Sequence, residues 1–275
     1  MTRYRASAKI TEDWQHFRFE VSDGVATVTL SRPEKMNPLT FESYADLRDL
    51  LHELPHRGDS QVLVIRGEGK GFCGGGDVNE IIGELIKMDA HDLIGFTRMT
   101  GEVIRAMREC PVPIVAGIQG IAAGAGSVIA IASDFRVVTR SAKFAFLFTK
   151  VGLSGGDMGA AYLLPRMVGA GRATELLMLG DTIDAETADR YGLVSQLVED
   201  NELDNAVSVL AHRLADGPAL AYAQTKSLIT RELDMPIGAA MELDAMTQAL
   251  LMTTHDHAEF HAAFNEKRPP KWTGR

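Results

Sequence analysis

Cysteine is nearly absent: Cys73 and Cys110 are the only two in 275 residues. A chain of this length needs no disulfide framework, and two cysteines without a nearby histidine pair make a poor zinc site. Long apolar runs are missing as well. The longest, from about Ile121 to Ile131, is glycine-rich and falls short of the ~18 residues that a membrane-spanning helix requires. Basic charge is in deficit, with 28 Lys and Arg against 37 Asp and Glu and a formal net charge of −9. That balance excludes nucleic acid as a general partner but leaves room for an anionic small molecule met by local charge. Met1 to Lys9 carry basic side chains and no apolar run, so no secretory signal is expected and a cytoplasmic location is. Low-complexity segments, clear linkers and strict short repeats are lacking too.

What is present is a chain with 45% hydrophobic residues, enough to bury a sizeable core, and two glycine-rich stretches of unusual placement. These are Gly71-Phe72-Cys73-Gly74-Gly75-Gly76-Asp77 and Gly120-Ile121-Ala122-Ala123-Gly124-Ala125-Gly126-Ser127. Each follows an apolar, strand-like run and leads into a helical pattern. Neither matches the dinucleotide fingerprint, and neither ends in the Gly-Lys-Ser/Thr of a phosphate loop. Glycines at a strand-to-helix turn let backbone N–H groups approach a ligand closely, and the helix behind them favours negative charge. Two such turns can aim two donors at one oxygen, the arrangement of an oxyanion hole. The plainer reading is that the glycines only permit tight turns and close packing.

The hydrophobic pattern is α/β first and helical later. His16 to Val21 and Val25 to Leu30 alternate like strands around a Ser22-Asp23-Gly24 turn. Phe41 to Leu54 has helical spacing, Val62 to Arg66 reads as a strand, and helical patterns continue from Val78 to Met107. A second unit predicts strands at Pro113 to Ile118, Phe135 to Thr139 and Lys143 to Phe148, with helices at Gly124 to Ala132 and Met158 to Val168. From Gly171 onward the signal is almost entirely helical, with the last candidate at Ile237 to Thr253. Such alternation predicts a layered sheet with crossover helices. On the strand Lys143 to Phe148, the aromatics Phe144, Phe146 and Phe148 would share one face, either as core or as the wall of a pocket.

Five motifs in order carry a family resemblance: Ser31-Arg32-Pro33-Glu34-Lys35-Met36-Asn37-Pro38-Leu39, Gly69 to Asp77, Gly120 to Gly126, Leu163-Leu164-Pro165-Arg166, and Phe264-Asn265-Glu266-Lys267-Arg268-Pro269. Together they resemble the crotonase, or enoyl-CoA hydratase/isomerase, superfamily. The resemblance implies repeated ββα units in two roughly perpendicular sheets over residues 1–200. It also implies a helical oligomerisation region over 201–275 that builds a homotrimer or hexamer. The partner it implies is an acyl-CoA substrate, with no nucleic acid, no membrane and no cofactor apart from the coenzyme A carried by the substrate. The oxyanion donors fall by resemblance on the N–H groups of Gly76 and Ala125. Lys35, Met36 and Pro38, with Gly74, Asp77 and Val78, would meet the CoA ester.

The departures from that pattern bear on the reaction. The two positions where hydratases of the family hold glutamates are Val128 and Phe148 here, and neither can transfer a proton. Both would contact the acyl group instead. One acid remains nearby, Asp157, which resembles the aspartate of dienoyl-CoA isomerases and of aroyl-CoA dehalogenases. From the residues alone, an Asp after two glycines and before a helical run is also what an N-cap looks like. The expectation is an acyl-CoA enzyme of the hydratase/isomerase type, with Asp157 moving a proton. The alternatives are a hydrolase or dehalogenase with Asp157 as nucleophile, and a silent acyl-CoA-binding subunit.

Overall fold

The computed structural model describes residues 10–274, so the reading of Met1 to Lys9 lies outside the described residues. The expected hairpin is present. β1 (Arg18–Ser22) and β2 (Val25–Leu30) pair antiparallel around Asp23-Gly24, whose φ values of 50° and 75° suit a two-residue turn. The chain continues through α1 (Phe41–Arg57), β3 (Val62–Gly67), the short α2 (Gly83–Leu85) and α3 (Ala90–Glu109) to β4 (Ile114–Ile118) and β5 (Ile121–Ala123). Next come α4 (Ala125–Ala132), β6 (Phe135–Thr139), β7 (Lys143–Ala145), α5 (Ala160–Val168) and α6 (Ala170–Leu179). β8 (Thr182–Asp184), α7 (Ala185–Arg190) and β9 (Gln196–Val198) precede four helices: α8 (Leu203–Ala215), α9 (Ala219–Glu232), α10 (Ile237–Met252) and α11 (His255–Glu266).

Two sheets result, as the family resemblance implies. The larger has the order β1-β2-β3-β4-β6-β9 and is parallel from β2 onward, while the smaller is β5-β7-β8. A parallel sheet needs both faces covered, and the sequence of β3 meets that need with Val62, Leu63, Val64 and Ile65 all buried. Alternation divides them between two cores. Leu63 and Ile65 face the cluster that holds Leu47, Leu50 and Leu54 of α1 and Val103 and Met107 of α3. Val62 and Val64 face Leu203, Val207, Ala211 and Leu214 of α8. Thus α8, although inside the segment 201–275, is a covering layer of the sheet.

Three further expectations change. The predicted strand over Lys143 to Phe148 stops at Ala145, and Leu147–Val151 forms a 3-10 turn, so Phe144, Phe146 and Phe148 do not share one strand face. The helical reading after Gly171 misses β8 and β9, whose three residues each are too short for a period-2 signal. The pattern over Val78 to Met107 is broken into a π-turn at Val78–Ile82, then α2, then α3.

A buried ion cluster fastens α9 to this core. Lys226 Nζ sits 2.7 Å from Asp134 Oδ2 and donates to Val112 O at 3.0 Å. Arg108 reaches the other oxygen of Asp134 at 3.3 Å, and Ile114 N–H donates to Oδ2 at 2.8 Å. Asp134 is therefore structural. No described helix is long and apolar enough to cross a membrane.

Candidate active site

The two glycine-rich stretches lie against each other. Cys73 N–H donates to Ile121 O at 3.1 Å, and Ala123 N–H donates to Cys73 O at 2.9 Å, so the first stretch runs as a parallel bridge beside β5. Close approach explains the composition. A Cβ on Gly126 would stand 2.2 Å from Cys73 O, and Gly124 turns the chain into α4 at φ 50°, ψ −120°, where a side chain is strained. Ser127 locks the corner from below by donating to Ala122 O at 2.7 Å and Ala145 O at 3.1 Å.

The same geometry decides which N–H groups stay free. Leu39 N–H donates to Gly75 O at 2.7 Å and Asp77 N–H donates to Leu39 O at 2.8 Å, so the bridge between Leu39 and Gly76 uses the peptide groups on either side of Gly76. The N–H of Gly76 itself points away from Leu39 and meets no protein acceptor among the described residues. Ala125 is the first residue of α4, where an N–H has no intrahelical partner, and its cap residue Gly124 has no side chain to supply one. Gly76 and Ala125 both line one cavity of about 180 Å³. A developing negative oxygen placed there would gain two donors and the positive end of α4.

The cavity walls are apolar: Ile81 and Ile82 of the π-turn, Leu85, Phe96, Phe148 and Met158. Val78, Gly74 and Gly76 also line it. Phe148 is thus in the cavity, whereas Phe144 and Phe146 are fully buried core. The structure does not bring Val128 to the cavity; it is completely buried within α4. Lys35, Met36 and Pro38 form an adjoining turn, tied to the site by Gly74 N–H donating to Met36 O at 2.7 Å. Lys35 and Met36 are exposed and Pro38 is half-buried. Asn37 holds that turn, accepting from Arg32 N–H at 2.9 Å and donating to Gly71 O at 2.8 Å.

Asp77 is occupied structurally. Its Oδ1 accepts from Asn79 and Glu80 N–H at 3.0 and 3.1 Å, capping the π-turn. Its Oδ2 lies 3.1 Å from Arg32 Nη2 and 3.5 Å from Lys35 Nζ without a well-directed hydrogen bond. The Glu80 and Asn79 N–H groups, with Lys35 and Arg32, hold this carboxyl below its ordinary value despite burial. Cys73 is buried and free, and burial pushes its thiol up to about 12, against a hydrogen bond from Gly75 N–H. A thiol so placed stays protonated at neutral pH and packs rather than attacks.

Asp157 lines the cavity half-buried, in the 3-10 turn Asp157–Gly159. The capping alternative does not hold: α5 starts after Gly159, and no side chain bonds its first N–H groups. Asp157 Oδ1 instead accepts from the N–H of the next residue, Met158, at 2.9 Å. Met158 has left-handed backbone (φ 50°, ψ 24°), a costly conformation for a residue with a side chain, and it aims this turn into the cavity. Burial pushes the Asp157 carboxyl up from its ordinary value, more than the Met158 N–H lowers it. A carboxylate in an apolar cavity with a raised pKa is a competent proton acceptor.

Sequence reasoning missed Tyr44, Phe96 and Thr100, which also line the cavity. Tyr44 and Phe41 of α1 pack edge-to-face on Phe96 of α3 at 6.0 and 5.0 Å between ring centroids. Helical spacing marks Tyr44 as inward-facing in line with Leu47 and Leu51, but only the fold puts its hydroxyl beside the glycine turns.

With the geometry in place, the comparisons with known proteins are consistent with one another. Residues 20–275 match the model of the enoyl-CoA hydratase/isomerase family. A crystal structure from Streptomyces coelicolor A3(2), provisionally assigned as an enoyl-CoA hydratase, superposes with a TM-score of 0.97 at 65% identity over 100% of both chains. A Rhodobacter capsulatus protein named "probable enoyl-CoA hydratase" is 36% identical over 94% of this chain and 98% of its own. An Escherichia coli protein named 1,2-epoxyphenylacetyl-CoA isomerase is 34% identical over 93% of this chain and 97% of its own.

Proposed function

This chain belongs to the enoyl-CoA hydratase/isomerase family, and from that premise we propose that it shifts a double bond in an acyl-CoA thioester through an enolate. The Gly76 and Ala125 N–H groups hold the thioester oxygen. Asp157 takes a proton from the carbon next to the thioester, and the electron pair moves onto that oxygen. As the enolate collapses, the protonated Asp157, half-buried and able to exchange with water in the cavity, delivers a proton to another carbon. No atom is gained or lost. The charge on oxygen is largest in the transition state, so donors fixed in advance lower the barrier more than they tighten ground-state binding.

The observation that carries this reading is that Gly76 and Ala125, whose N–H groups meet no protein acceptor among the described residues, line one cavity together with the half-buried carboxyl of Asp157. Hydration by two carboxylates has no support, because Val128 is core and Phe148 is apolar. The CoA end lies along the turn of Lys35, Met36 and Pro38, which Gly74 fastens to the cavity. The acyl group enters between Phe148 and Val78, past exposed Val151 and Leu153. The E. coli relative's name joins an isomerisation to an aryl acyl-CoA, in keeping with the Phe96 and Phe148 walls.

The subunit contact falls on α9 to α11 rather than on the whole of 201–275, and the assembly is a homotrimer or hexamer. Ile237, Met241, Met246, Leu250 and Phe264 are each more than half exposed in the single chain, an apolar area that a monomer rarely presents to water. Sedimentation at equilibrium tests this; a monomer at micromolar concentration would remove it.

The function is tested by incubating the protein with enoyl-, dienoyl- and aroyl-CoA thioesters in deuterated, heavy-oxygen water and weighing the products. Deuterium on carbon without heavy oxygen is the expected result. Heavy oxygen in the acyl product would replace isomerisation by hydration or by hydrolysis through Asp157. Bound but unchanged thioesters would favour the silent binding subunit.

A further inference from the structure

Tyr44 is 3% exposed, and its hydroxyl, which makes no hydrogen bond to protein among the described residues, has only the cavity to open onto. Buried phenols are ordinarily hydrogen-bonded, because an unpaired one forfeits its hydration without return. This one is aimed into the cavity: a Cβ built on Gly76 would come within 3.8 Å of it. Burial holds the phenol well above its ordinary pKa, with the charge of Asp157 acting in the same direction, so it is a neutral donor at any physiological pH. Asp157 and Tyr44 thus present polar ends to an acyl cavity whose other side chains are nearly all apolar. Thr100, the other hydroxyl on the wall, is already spent on Thr97 O at 3.1 Å.

A thioester oxygen has two lone pairs, and Gly76 and Ala125 supply two donors for them. The phenol is left for the next acceptor along the acyl group. A hydrocarbon acyl chain would leave it buried and unpaired; an acyl chain carrying its own oxygen would satisfy it. We propose that Tyr44 selects acyl-CoA thioesters whose acyl group bears an oxygen acceptor, such as a hydroxyl, keto or epoxide oxygen near the thioester, over their hydrocarbon counterparts. The selection rests on the acyl-CoA reading above and names the substrate class of the same cavity. Sites built to bond a substrate oxygen discriminate more strongly than apolar pockets do, since the analogue without it strands a buried donor.

The test uses matched pairs: butyryl-CoA with 3-hydroxybutyryl-CoA, and phenylacetyl-CoA with 2-hydroxyphenylacetyl-CoA. Dissociation constants are measured calorimetrically for wild-type protein and for Tyr44→Phe, which keeps the ring and its packing on Phe96. The wild type is expected to favour the oxygenated member of at least one pair by roughly tenfold or more, and Tyr44→Phe to bring that ratio close to one while binding the hydrocarbon member as well or better. A ratio unchanged by the substitution, or near one in the wild type for both pairs, overturns the proposal. Equal weakening of both members would make Tyr44 a third donor to the thioester oxygen and also overturn it. Should no thioester bind the wild type, the acyl-CoA reading itself falls, a result distinct from failed discrimination. Wild-type protein labelled with 13C at tyrosine Cζ gives an answer that does not depend on how the variant folds. One of five tyrosine signals should move with the oxygenated ligand and not with its hydrocarbon partner, and no such difference would count against Tyr44.

Discussion

Replacing Gly126 by alanine probes the seam between the two glycine turns without touching a donor or the cavity carboxylate. The added methyl would stand 2.2 Å from Cys73 O and 2.8 Å from Cys73 Cβ, where ordinary contact begins about 1 Å farther out. It cannot be absorbed by a flexible side chain, because the obstacle is backbone. The helix cannot lean away either, since all eight residues of α4 are buried. The displacement therefore falls on the separation of the Gly76 and Ala125 N–H groups. Overpacking of this kind costs ~1–3 kcal/mol of stability. Misplacing one donor relative to the developing oxyanion costs more in rate: losing such a donor lowers kcat by ~10²–10³. Because the ground-state carbonyl is a weaker acceptor than the enolate, the dissociation constant for an acyl-CoA should move only a few-fold. The assay is the rate of deuterium uptake into the acyl carbon, tracked by mass, beside calorimetric binding and a thermal melt. Gly95→Ala is the control, on the exposed face of α3 with nothing within 4 Å, and should be active and more stable by ~0.5–1 kcal/mol. A folded Gly126→Ala protein with wild-type turnover would refute the claim that the abutting turns set the rate.

Asp157→Asn should bind acyl-CoA normally and lose ~10²–10⁴ in turnover; unimpaired turnover would take the proton-transfer role away from Asp157. In the wild type, kcat should rise with pH through an inflection above the ordinary carboxylate value, because the reactive form is the carboxylate and burial raises its pKa. Stability should show the opposite trend. The folded state holds this proton more tightly than the unfolded state, so stability falls as pH rises from about 3.8 to the raised folded value. Asp157→Asn should therefore melt higher than wild type above that window and lose the advantage below it, and the reverse order would contradict the assigned shift. Lys226→Met should cost about 2 kcal/mol in urea unfolding, since it removes the nearest cation from the partly buried Asp134 and leaves Arg108 and Arg136 as its counter-charges. A loss under ~1 kcal/mol would mean that the cluster does not anchor α9.

The glycine turns were legible because their chemistry is local: glycine is required where one backbone passes another, and apolar runs on either side mark the strand and the helix. The hairpin, α1, β3, β4, α4 and α8 were legible from periodicity for the same reason. Asp157 was visible as the acid near the site, but its competing role as a helix cap could be removed only by the left-handed Met158 and by Gly159 at the start of α5. The three-residue strands β5, β8 and β9 carry too few residues to show an alternation, and pairing with distant partners creates them. The Phe144, Phe146 and Phe148 stripe failed because the strand ends at Ala145 and the 3-10 turn Leu147–Val151 re-aims Phe148.

By itself the sequence determined the elements that local stereochemistry dictates, and with them the two turns, the acid beside them and the family to which they belong. The tertiary structure alone decided which groups face the cavity. Val128 was removed to the core, Phe148 was kept, and Tyr44 and Phe96 were added from helices distant in the chain. It also decided that the Gly76 and Ala125 N–H groups meet no protein acceptor among the described residues, because freedom of a backbone donor depends on where every neighbouring acceptor is spent. Periodicity assigns a side chain to the inside of an element, whereas a binding site is the part of the inside left unfilled, and that is known only once all the elements are packed.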